Sequence, residues 1–359
     1  MTIQERKKSL ILLGKFLSQF SPEGVSAKEN IPYNDLFLDV LKQLIDRAHE
    51  NNPWFTRDNV LYALSSWGEA LQPEKIDQWL DKYQLTDHPD PKKVGVIMAG
   101  NIPLVGMHDF LSVLAAGHDI KAKLSSNDKL LLPVLAKYLT YVEPAYKDKI
   151  TFVDGHLKDI DAVIATGSDN TARYFDYYFG KYPHIIRKNK NSVAVLTGDE
   201  TEEELDGLAD DIMLYFGLGC RNVSKLFVPE GYDFNPLFKA LLKYKDLINY
   251  QKYANNYDYN KAVYLMSVDK DVRDSLIDNG LILLKKDVNY ASPIGTVFYE
   301  TYKDIDDVNK ILQADKDKIQ AVVSHAPQIE NKIPFGTTQQ PELWDYADGV
   351  DTMKFLTNL

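Results

Sequence analysis

The sequence has 359 residues, of which 45% are hydrophobic and 26% charged, with one cysteine and a net charge of −11. This acidic balance argues against a nucleic-acid-binding protein, which needs a basic face to meet phosphate groups, and a single cysteine excludes an intramolecular disulfide. No stretch approaches the roughly 18 apolar residues that a membrane-spanning helix requires. We therefore expect a soluble, cytoplasmic protein of two or three domains, with no membrane span and no nucleic-acid partner.

Residues 1–90 are predicted to form an N-terminal helical segment. Apolar residues recur at three- and four-residue spacing in "NDLFLDVLKQLIDRAHE", "TRDNVLYALSSWGEAL" and "PEKIDQWLDKYQL", which is typical of amphipathic helices. Thr56 and Pro73 stand at positions that helix starts favour. The turn-rich stretch "TDHPDPKK" follows, and the pattern changes after it.

Residues 91–200 are predicted to form a first α/β domain. The strand-like stretches "KVGVIMAG", "DIKAKLS", "ITFVD" and "DAVIATG" alternate with helical ones such as "PLVGMHDFLSVLAAG". Continuous apolar strands separated by helices predict a parallel, doubly wound sheet. Sheets of this kind bind their ligands at the carboxyl ends of the strands.

Residues 201–335 repeat the alternation and are predicted to form a second α/β domain. It begins with the acidic helix "DETEEELDGLADDIMLYFG" and continues with the strand "SKLFVPE". Residues 336–359 have no clear periodicity, and we expect this tail to pack back on the body of the protein. The fold class predicted from the pattern is therefore α/β, with two doubly wound domains behind an N-terminal helical segment.

Two polar loops follow predicted strands of the first α/β domain. The stretch "AGNIP" comes after the first strand and "ATGSDN" after the fourth, and neither matches the G-x-G-x-x-G dinucleotide fingerprint. Tight strand-to-helix turns use the same residue types for backbone geometry alone. Taken singly, the residues of each loop favour a structural turn over a ligand-binding loop, without excluding the latter.

The single cysteine, Cys220, lies in "GLGCRNVSKLFVP", between a predicted helix and a predicted strand. Gly217 and Gly219 leave room for a substrate to approach the backbone, and Arg221 and Asn222 are polar, which favours a reactive thiol. Most lone cysteines, however, are small buried hydrophobic residues. The negative end of the preceding helix also opposes formation of a thiolate. Spacing alone decides neither for a core residue nor for a nucleophile.

Four blocks, taken in order, resemble the acyl-CoA reductase family. They are "AGNIPLVGMHDFLSVLAAGHDIKAKLSSND", "DAVIATGSDN", "GLGCRNVSKLFVP" and "GTTQQPELWDYADGV". The best known members of this family make the long-chain aldehyde for bacterial luminescence, and the family is a branch of the aldehyde dehydrogenase superfamily. The resemblance runs from about residue 90 to the end and implies an aldehyde dehydrogenase-like fold.

The resemblance implies a set of cofactor-binding residues. Lys123 matches a lysine that contacts the adenosine ribose, and Gly167 and Ser168 match a turn whose helix N-terminus meets the pyrophosphate. Where NAD-preferring members often carry a glutamate against the ribose hydroxyls, this chain has Ser125 and Ser126. The missing carboxylate removes a repulsion against a 2′-phosphate, so we expect the cofactor to be NADPH and residues 91–200 to bind it.

The resemblance also implies two catalytic residues. Cys220 matches the nucleophile of the superfamily, which places catalysis in the domain of residues 201–335. Asn101 matches an asparagine whose side-chain amide donates to the substrate oxygen. No metal site is expected, because the seven histidines show no metal-ligand spacing.

Two departures from the superfamily pattern are informative. Hydrolytic aldehyde dehydrogenases place a glutamate base in an E-L-G-G-K stretch, and here the region reads "IIRKNKNS". A second glutamate, in E-x-F-G-P, holds the nicotinamide ribose, and the nearest match here is "ASPIGTV". Without a base to activate water, a thioester on Cys220 would not be hydrolysed efficiently, so the departures favour a reductase.

The sequence therefore predicts an oxidoreductase that reduces an acyl-CoA, or another acyl thioester, to a fatty aldehyde with NADPH through a cysteine-bound thioester. A CoA-acylating aldehyde dehydrogenase running the same steps oxidatively is the first alternative. A catalytically silent subunit that binds an acyl-transfer partner is the second. The expected partners are an acyl-CoA substrate, an acyl-transfer or acyl-activating protein, and further copies of the chain in a homo-oligomer.

Overall fold

The computed structural model describes residues 1–167, 169–267 and 275–359 of the chain. The chain divides into a first unit, Met1–Lys188 with Pro341–Leu359, and a second unit, Asn189–Gln340. Within the described ranges, no helix is long and apolar enough to cross a membrane. The boundaries of the four segments expected from the sequence stay a prediction.

The first unit begins with four helices. They are α1 (Ile3–Leu17), α2 (Asn34–Asn51), α3 (Arg57–Ala70) and α4 (Pro73–Leu80), with the short antiparallel strands β1 (Phe20–Ser21) and β2 (Gly24–Val25) between α1 and α2. The Thr2 side chain accepts from the N–H of Glu5, whose carboxylate accepts from the N–H of Thr2. This reciprocal capping satisfies two donors at the start of α1. Thr56 caps α3 and Pro73 opens α4, as the sequence predicted.

A five-stranded parallel sheet follows in the first unit. Its strands are β3 (Lys93–Ile97), β4 (Asp119–Lys123), β5 (Ile150–Phe152), β6 (Ala162–Thr166) and β7 (His184–Arg187), in the order β5-β4-β3-β6-β7. The helices between them are α5 (Met107–Ala116), α6 (Leu131–Val142) and α7 (Asp169–Phe179). The predicted parallel sheet with alternating helices is confirmed.

A buried ion pair ties the C-terminal residues into the first unit. Arg187, at the end of β7, donates to the Asp109 carboxylate at 2.6 Å and to the Thr352 hydroxyl at 2.8 Å. The same guanidinium donates to the carbonyl of Ala347 at 2.8 Å. The last helix, α12 (Thr352–Thr357), packs against α5. A buried guanidinium with this many acceptors is satisfied, so it holds β7, α5 and the chain end together.

The second unit contains a six-stranded sheet. In chain order its strands are β8 (Asn191–Val195), β9 (Val223–Pro229), β10 (Ile277–Asp278), β11 (Leu283–Lys286), β12 (Thr296–Tyr302) and β13 (Ile319–Val323). The spatial order is β10-β11-β12-β9-β8-β13. Within the described ranges, only the pair β10–β11 of this sheet is antiparallel. Its α-helices are α8 (Glu202–Met213), α9 (Asn235–Leu241), α10 (Gln251–Leu265) and α11 (Ile305–Ala314).

Candidate active site

The strand order of the first sheet reverses beside β3. The chain moves outward from β3 through β4 to β5 and then crosses back to β6, on the other side of β3. Loops that leave neighbouring strands in opposite directions open a crevice at the carboxyl ends, where such sheets bind ligands. Two loops begin at the carboxyl ends of these strands, which we call this edge of the sheet. We name them the Asn101 loop (residues 98–106, after β3) and the serine loop (residues 124–130, after β4). The turn at Gly167, after β6, lies at the same edge.

Gly100 allows the Asn101 loop to pack directly on the serine loop. A Cβ placed on Gly100 would lie 2.6 Å from both Cβ and Oγ of Ser125, closer than real Cβ contacts come. Asn101, the next residue, is exposed. A larger residue at position 100 would therefore push the two loops apart and displace Asn101 with them.

Asp128 connects the same two loops through hydrogen bonds. Its Oδ2 accepts from the N–H of Leu104 at 2.8 Å, and its own N–H donates to the carbonyl of Ser125 at 3.1 Å. Leu104 is buried and has a left-handed backbone with φ of 58°, which is uncommon for leucine. Burial raises the pKa of the Asp128 carboxyl to about 6, although the Leu104 N–H acts in the opposite direction.

The residues predicted to contact the ribose lie at the end of β4 and in the serine loop. Ser126 is exposed and Ser125 half-buried, and the Lys123 ammonium has no hydrogen bond or ion pair with any residue that the structure describes. Helix α2 supports the loop, since Asn51 donates to the carbonyl of Ser126 at 3.4 Å and Asn52 donates to the next carbonyl at 3.3 Å. The serine loop is thus fixed by its backbone.

Gly167 forms a tight turn between β6 and α7. A Cβ at this position would lie 2.9 Å from a ring carbon of Phe175 and 3.0 Å from the Cβ of Thr171. The first turns of α7 therefore reach the strand end only because position 167 carries no side chain. The neighbouring Ser168, also predicted to meet the pyrophosphate, lies outside the described residues.

Cys220 belongs to the second unit and lies in the loop between α8 and β9. Its side chain is exposed, so it is not the small buried residue that a lone cysteine often is. The hydroxyl of the buried Ser192, on β8, donates to the carbonyl of Cys220 at 3.0 Å. The backbone of the cysteine is therefore anchored to the sheet while the thiol faces outward.

Asn222 holds this cysteine loop to the end of α8. Its side-chain nitrogen donates to the carbonyls of Leu214 at 2.8 Å and Asp211 at 3.0 Å, and lies 3.4 Å from that of Ile212. Its side-chain oxygen accepts from the N–H of Gly219 at 2.8 Å. One buried carboxamide thus satisfies terminal helix carbonyls and fixes the residue before Cys220.

The turn that leads from α8 to Cys220 has an unusual backbone. Tyr215 and Phe216 are both left-handed, with φ of 52° and 59°, and both are buried. The Phe216 ring stacks on Tyr250 with ring centres 5.4 Å apart and lies 6.2 Å from the Tyr253 ring. Two consecutive left-handed residues that are not glycine are held only where packing outweighs the strain, and these rings supply that packing.

The segment "ASPIGTV" lies close to the cysteine loop within the second unit. Ser292 to Val297 line a small cavity that is also lined by Phe216 and Gly217 of the loop and by Tyr253 of α10. The segment carries no carboxylate in the place where the superfamily pattern has a glutamate. The other predicted departure, "IIRKNKNS", contains Arg187, which is paired with Asp109 inside the first unit.

The structure brings five of the predicted residues to one edge of the first sheet, and places the sixth described one, Cys220, in the second unit. Those five are Asn101, Lys123, Ser125, Ser126 and Gly167. Sequence reasoning assigned no role to Asp128 and treated Asn222 only as a polar neighbour of the cysteine. Both lie within the blocks that carry the family resemblance, and that was the one available signal.

The fold is that of the aldehyde dehydrogenases. Aldehyde dehydrogenase 21 from Physcomitrella patens, solved with its reaction product succinate, aligns with 100% of this chain and 84% of its own, with a TM-score of 0.65 and 12% identity. An NAD-dependent aldehyde dehydrogenase from Sinorhizobium meliloti aligns with 91% of this chain and 71% of its own (TM-score 0.62, 13% identity). The aldehyde dehydrogenase from Bacillus cereus, solved with NAD⁺, aligns with 91% of this chain and 73% of its own (TM-score 0.58, 16% identity).

The family is settled by sequence. The family model described as acyl-CoA reductase (LuxC) matches residues 32–333, so the chain belongs to this family, and the predicted resemblance is confirmed. A long-chain acyl-protein thioester reductase from Aliivibrio fischeri is 24% identical over 210 residues. That match takes in 53% of this chain but only 43% of the relative's length.

The role of Asn222 predicts the outcome of its replacement. Asn222→Ala removes the donors to the end of α8, so the free energy of unfolding should fall by about 1–3 kcal/mol, the usual cost of leaving buried polar groups unpaired. Asn222→Asp should cost more, because it keeps an acceptor for Gly219 but sets a carboxylate against carbonyl oxygens. Urea unfolding of both variants measures this, with Asn289→Ala as an exposed control. Wild-type stability in Asn222→Asp would contradict this role.

Proposed function

We propose that this protein reduces an acyl thioester to an aldehyde, with the acyl group carried on Cys220 and NADPH as the reductant. The observation that carries the proposal is the exposed cysteine, anchored by Ser192 and Asn222, in a chain of the acyl-CoA reductase family. An acyl-protein thioester is proposed as a donor beside acyl-CoA, because the Aliivibrio fischeri relative is named for such substrates.

In the first step the Cys220 thiolate attacks the thioester carbonyl. A new carbon–sulfur bond forms, the carbonyl electrons move to oxygen, and collapse of this tetrahedral species breaks the bond to the leaving thiolate. The Asn101 amide, as the resemblance implies, and the Cys220 backbone N–H donate to the oxyanion. Donors of this kind are typically worth about 3 kcal/mol in acyl transfer.

The edge of the first sheet fits a dinucleotide cofactor. It has the strand reversal such ligands favour, a turn at Gly167 without a side chain, and a Lys123 ammonium with no ion-pair partner among the described residues. Lys123, Ser125, Ser126, Gly167 and Ser168 would hold it. When bound, the reduced nicotinamide supplies the hydride that turns the acyl group into the aldehyde, which then leaves Cys220.

The chain also lacks the glutamates that would activate water to hydrolyse the thioester. Neither "IIRKNKNS" nor "ASPIGTV" offers a carboxylate base at the positions where the superfamily pattern has glutamates. General-base assistance is commonly worth about 10²–10⁴-fold, so a thioester on Cys220 would hydrolyse slowly. This preference for hydride over water is the chemical argument for a reductase.

The proposal predicts a covalent adduct at one site. After incubation with acyl-CoA, intact-mass measurement should show one added acyl group on the wild-type protein and none on Cys220→Ala. Because the exposed thiol contributes little packing, Cys220→Ala should keep its stability and its NADPH binding. A persistent adduct on Cys220→Ala, or retained turnover, would remove Cys220 from the mechanism. A wild-type protein that gains no acyl group would favour the silent binding subunit.

The proposal also predicts the basis of cofactor choice. Ser126→Glu introduces a carboxylate that repels a 2′-phosphate and can accept from the ribose hydroxyls, so the ratio of kcat/KM for NADPH to that for NADH should fall. Ser125→Glu is tested in parallel, and Ser126→Gln serves as the uncharged control. The assignment of the serine loop to the ribose fails if neither glutamate variant changes the ratio.

A further inference from the structure

Asp128 is a buried carboxyl that the proposed mechanism does not use. The residue is 7% exposed, and its Oδ2 accepts from the N–H of Leu104. Its Oδ1 is buried without a hydrogen-bond partner among the residues that the structure describes. A buried polar atom in that state costs free energy, and a native protein keeps one where it serves a purpose.

An asparagine could also accept from the N–H of Leu104, without burying an acid. The pKa of Asp128 is raised from 3.8 to about 6, with burial as the main cause. Between those two pH values the folded protein binds more protons at this group than the unfolded chain does. The stability that this carboxyl contributes to the fold therefore falls as the pH rises through this window. Above the window the ionised carboxylate destabilises the fold by the full amount. A titratable group retained at such a cost points to a role for its charge.

No charged side chain in the described part of the chain forms an ion pair with Asp128. The shift has only two causes, burial and the Leu104 N–H. Helix α2, which packs on the serine loop, carries Arg47, His49 and Glu50 near its end, but all three are exposed and Arg47 is bonded to Glu50. Lys129, beside Asp128, is exposed as well. The ionised carboxylate therefore acts mainly on the Leu104 N–H.

We propose that Asp128 is a positioning residue that holds the Asn101 loop against the serine loop, and that it does so in its ionised form. A hydrogen bond to a charged acceptor is about twice as strong as a neutral one, so ionisation tightens the bond that keeps Leu104 left-handed. Leu104 in turn leads into α5, since its carbonyl accepts from the N–H of Met107. The consequence for catalysis, through Asn101, depends on the proposed function.

Hydrogen exchange of the Asn101 loop tests the proposal independently of activity. The probe is exchange mass spectrometry of peptides that cover residues 98–106, between pH 5 and 8, after correction for the intrinsic pH dependence of exchange. An opening that breaks the Leu104 bond but leaves Asp128 buried removes the contact that lowers the pKa of this carboxyl. Ionisation therefore favours the closed loop, and protection in the wild-type protein should fall as the pH drops through about 6. Asp128→Ala should exchange about tenfold faster or more at pH 8, as expected for loss of one charge-assisted hydrogen bond. Asp148→Asn, an exposed aspartate of the same unit, is the matched control.

The conservative variant separates charge from shape. Asp128→Asn keeps an acceptor for Leu104 and removes the buried acid, so it should be at least as stable as wild type at pH 8. Its loop protection should be intermediate and should not change through pH 6. With acyl-CoA and NADPH, kcat should follow loop protection across the three proteins, while KM for NADPH changes little.

The outcomes are distinguishable. Unchanged protection in Asp128→Ala at every pH would overturn the positioning role. A wild-type pH dependence in Asp128→Asn would overturn the role of ionisation. If protection follows the predicted order but even the wild-type protein reduces no acyl thioester, the positioning role stands and the proposed function fails.

Discussion

A helix that ends inside a protein leaves its last carbonyl oxygens without backbone partners, and the carboxamide of Asn222 supplies donors for the end of α8. The same side chain accepts from the N–H of Gly219 and so places the residue before Cys220. One side chain therefore both satisfies the end of the helix and positions the cysteine. Ser192 also donates to the Cys220 carbonyl, so the exposed cysteine lies on a backbone that hydrogen bonds hold on both sides.

Helix α8 carries a second buried anchor. Its Asp211 carboxylate accepts from the N–H groups of Gly336 and Thr338, and burial raises the pKa of this carboxyl despite those bonds. Gly207 makes the approach possible, because a Cβ there would lie 2.9 Å from the nitrogen of Gly336. The helix thus fixes the cysteine loop at its end and the chain around residue 336 along its side. Such support would let Cys220, the proposed nucleophile, meet its substrate in one geometry.

Much of the fold could be predicted because its signals are local. Apolar strands such as Lys93–Ile97 and Ala162–Thr166 stand between helices with clear three- and four-residue spacing, and this pattern indicates a parallel sheet. The order of strands also fixes where Asn101 and Gly167 lie, since both follow strands at the same edge. That these two loops follow strands of a parallel sheet could therefore be predicted from the sequence.

The supports of the site could not be predicted in the same way. Asp128 binds Leu104, which is 24 positions away, and Asn222 reaches back 8 to 11 positions to the end of α8. Left-handed backbones at Leu104, Tyr215 and Phe216 contradict the local preferences of these residues and depend on tertiary contacts. Such contacts leave no periodic trace in a sequence. The blocks that resemble the family contain Asp128 and Asn222 but do not indicate which hydrogen bonds they make.

The central claim is that a thioester on Cys220 is reduced by hydride and is hydrolysed only slowly by water. The most direct measurement mixes the protein with labelled acyl-CoA, removes the excess, and follows the protein-bound label with and without NADPH. We predict that the label stays on the protein alone and leaves as aldehyde when NADPH is added. The two stretches where the superfamily pattern has glutamates, "IIRKNKNS" and "ASPIGTV", carry no carboxylate that could supply the usual general-base factor of about 10²–10⁴. Rapid release of the label as free acid without NADPH would contradict the account.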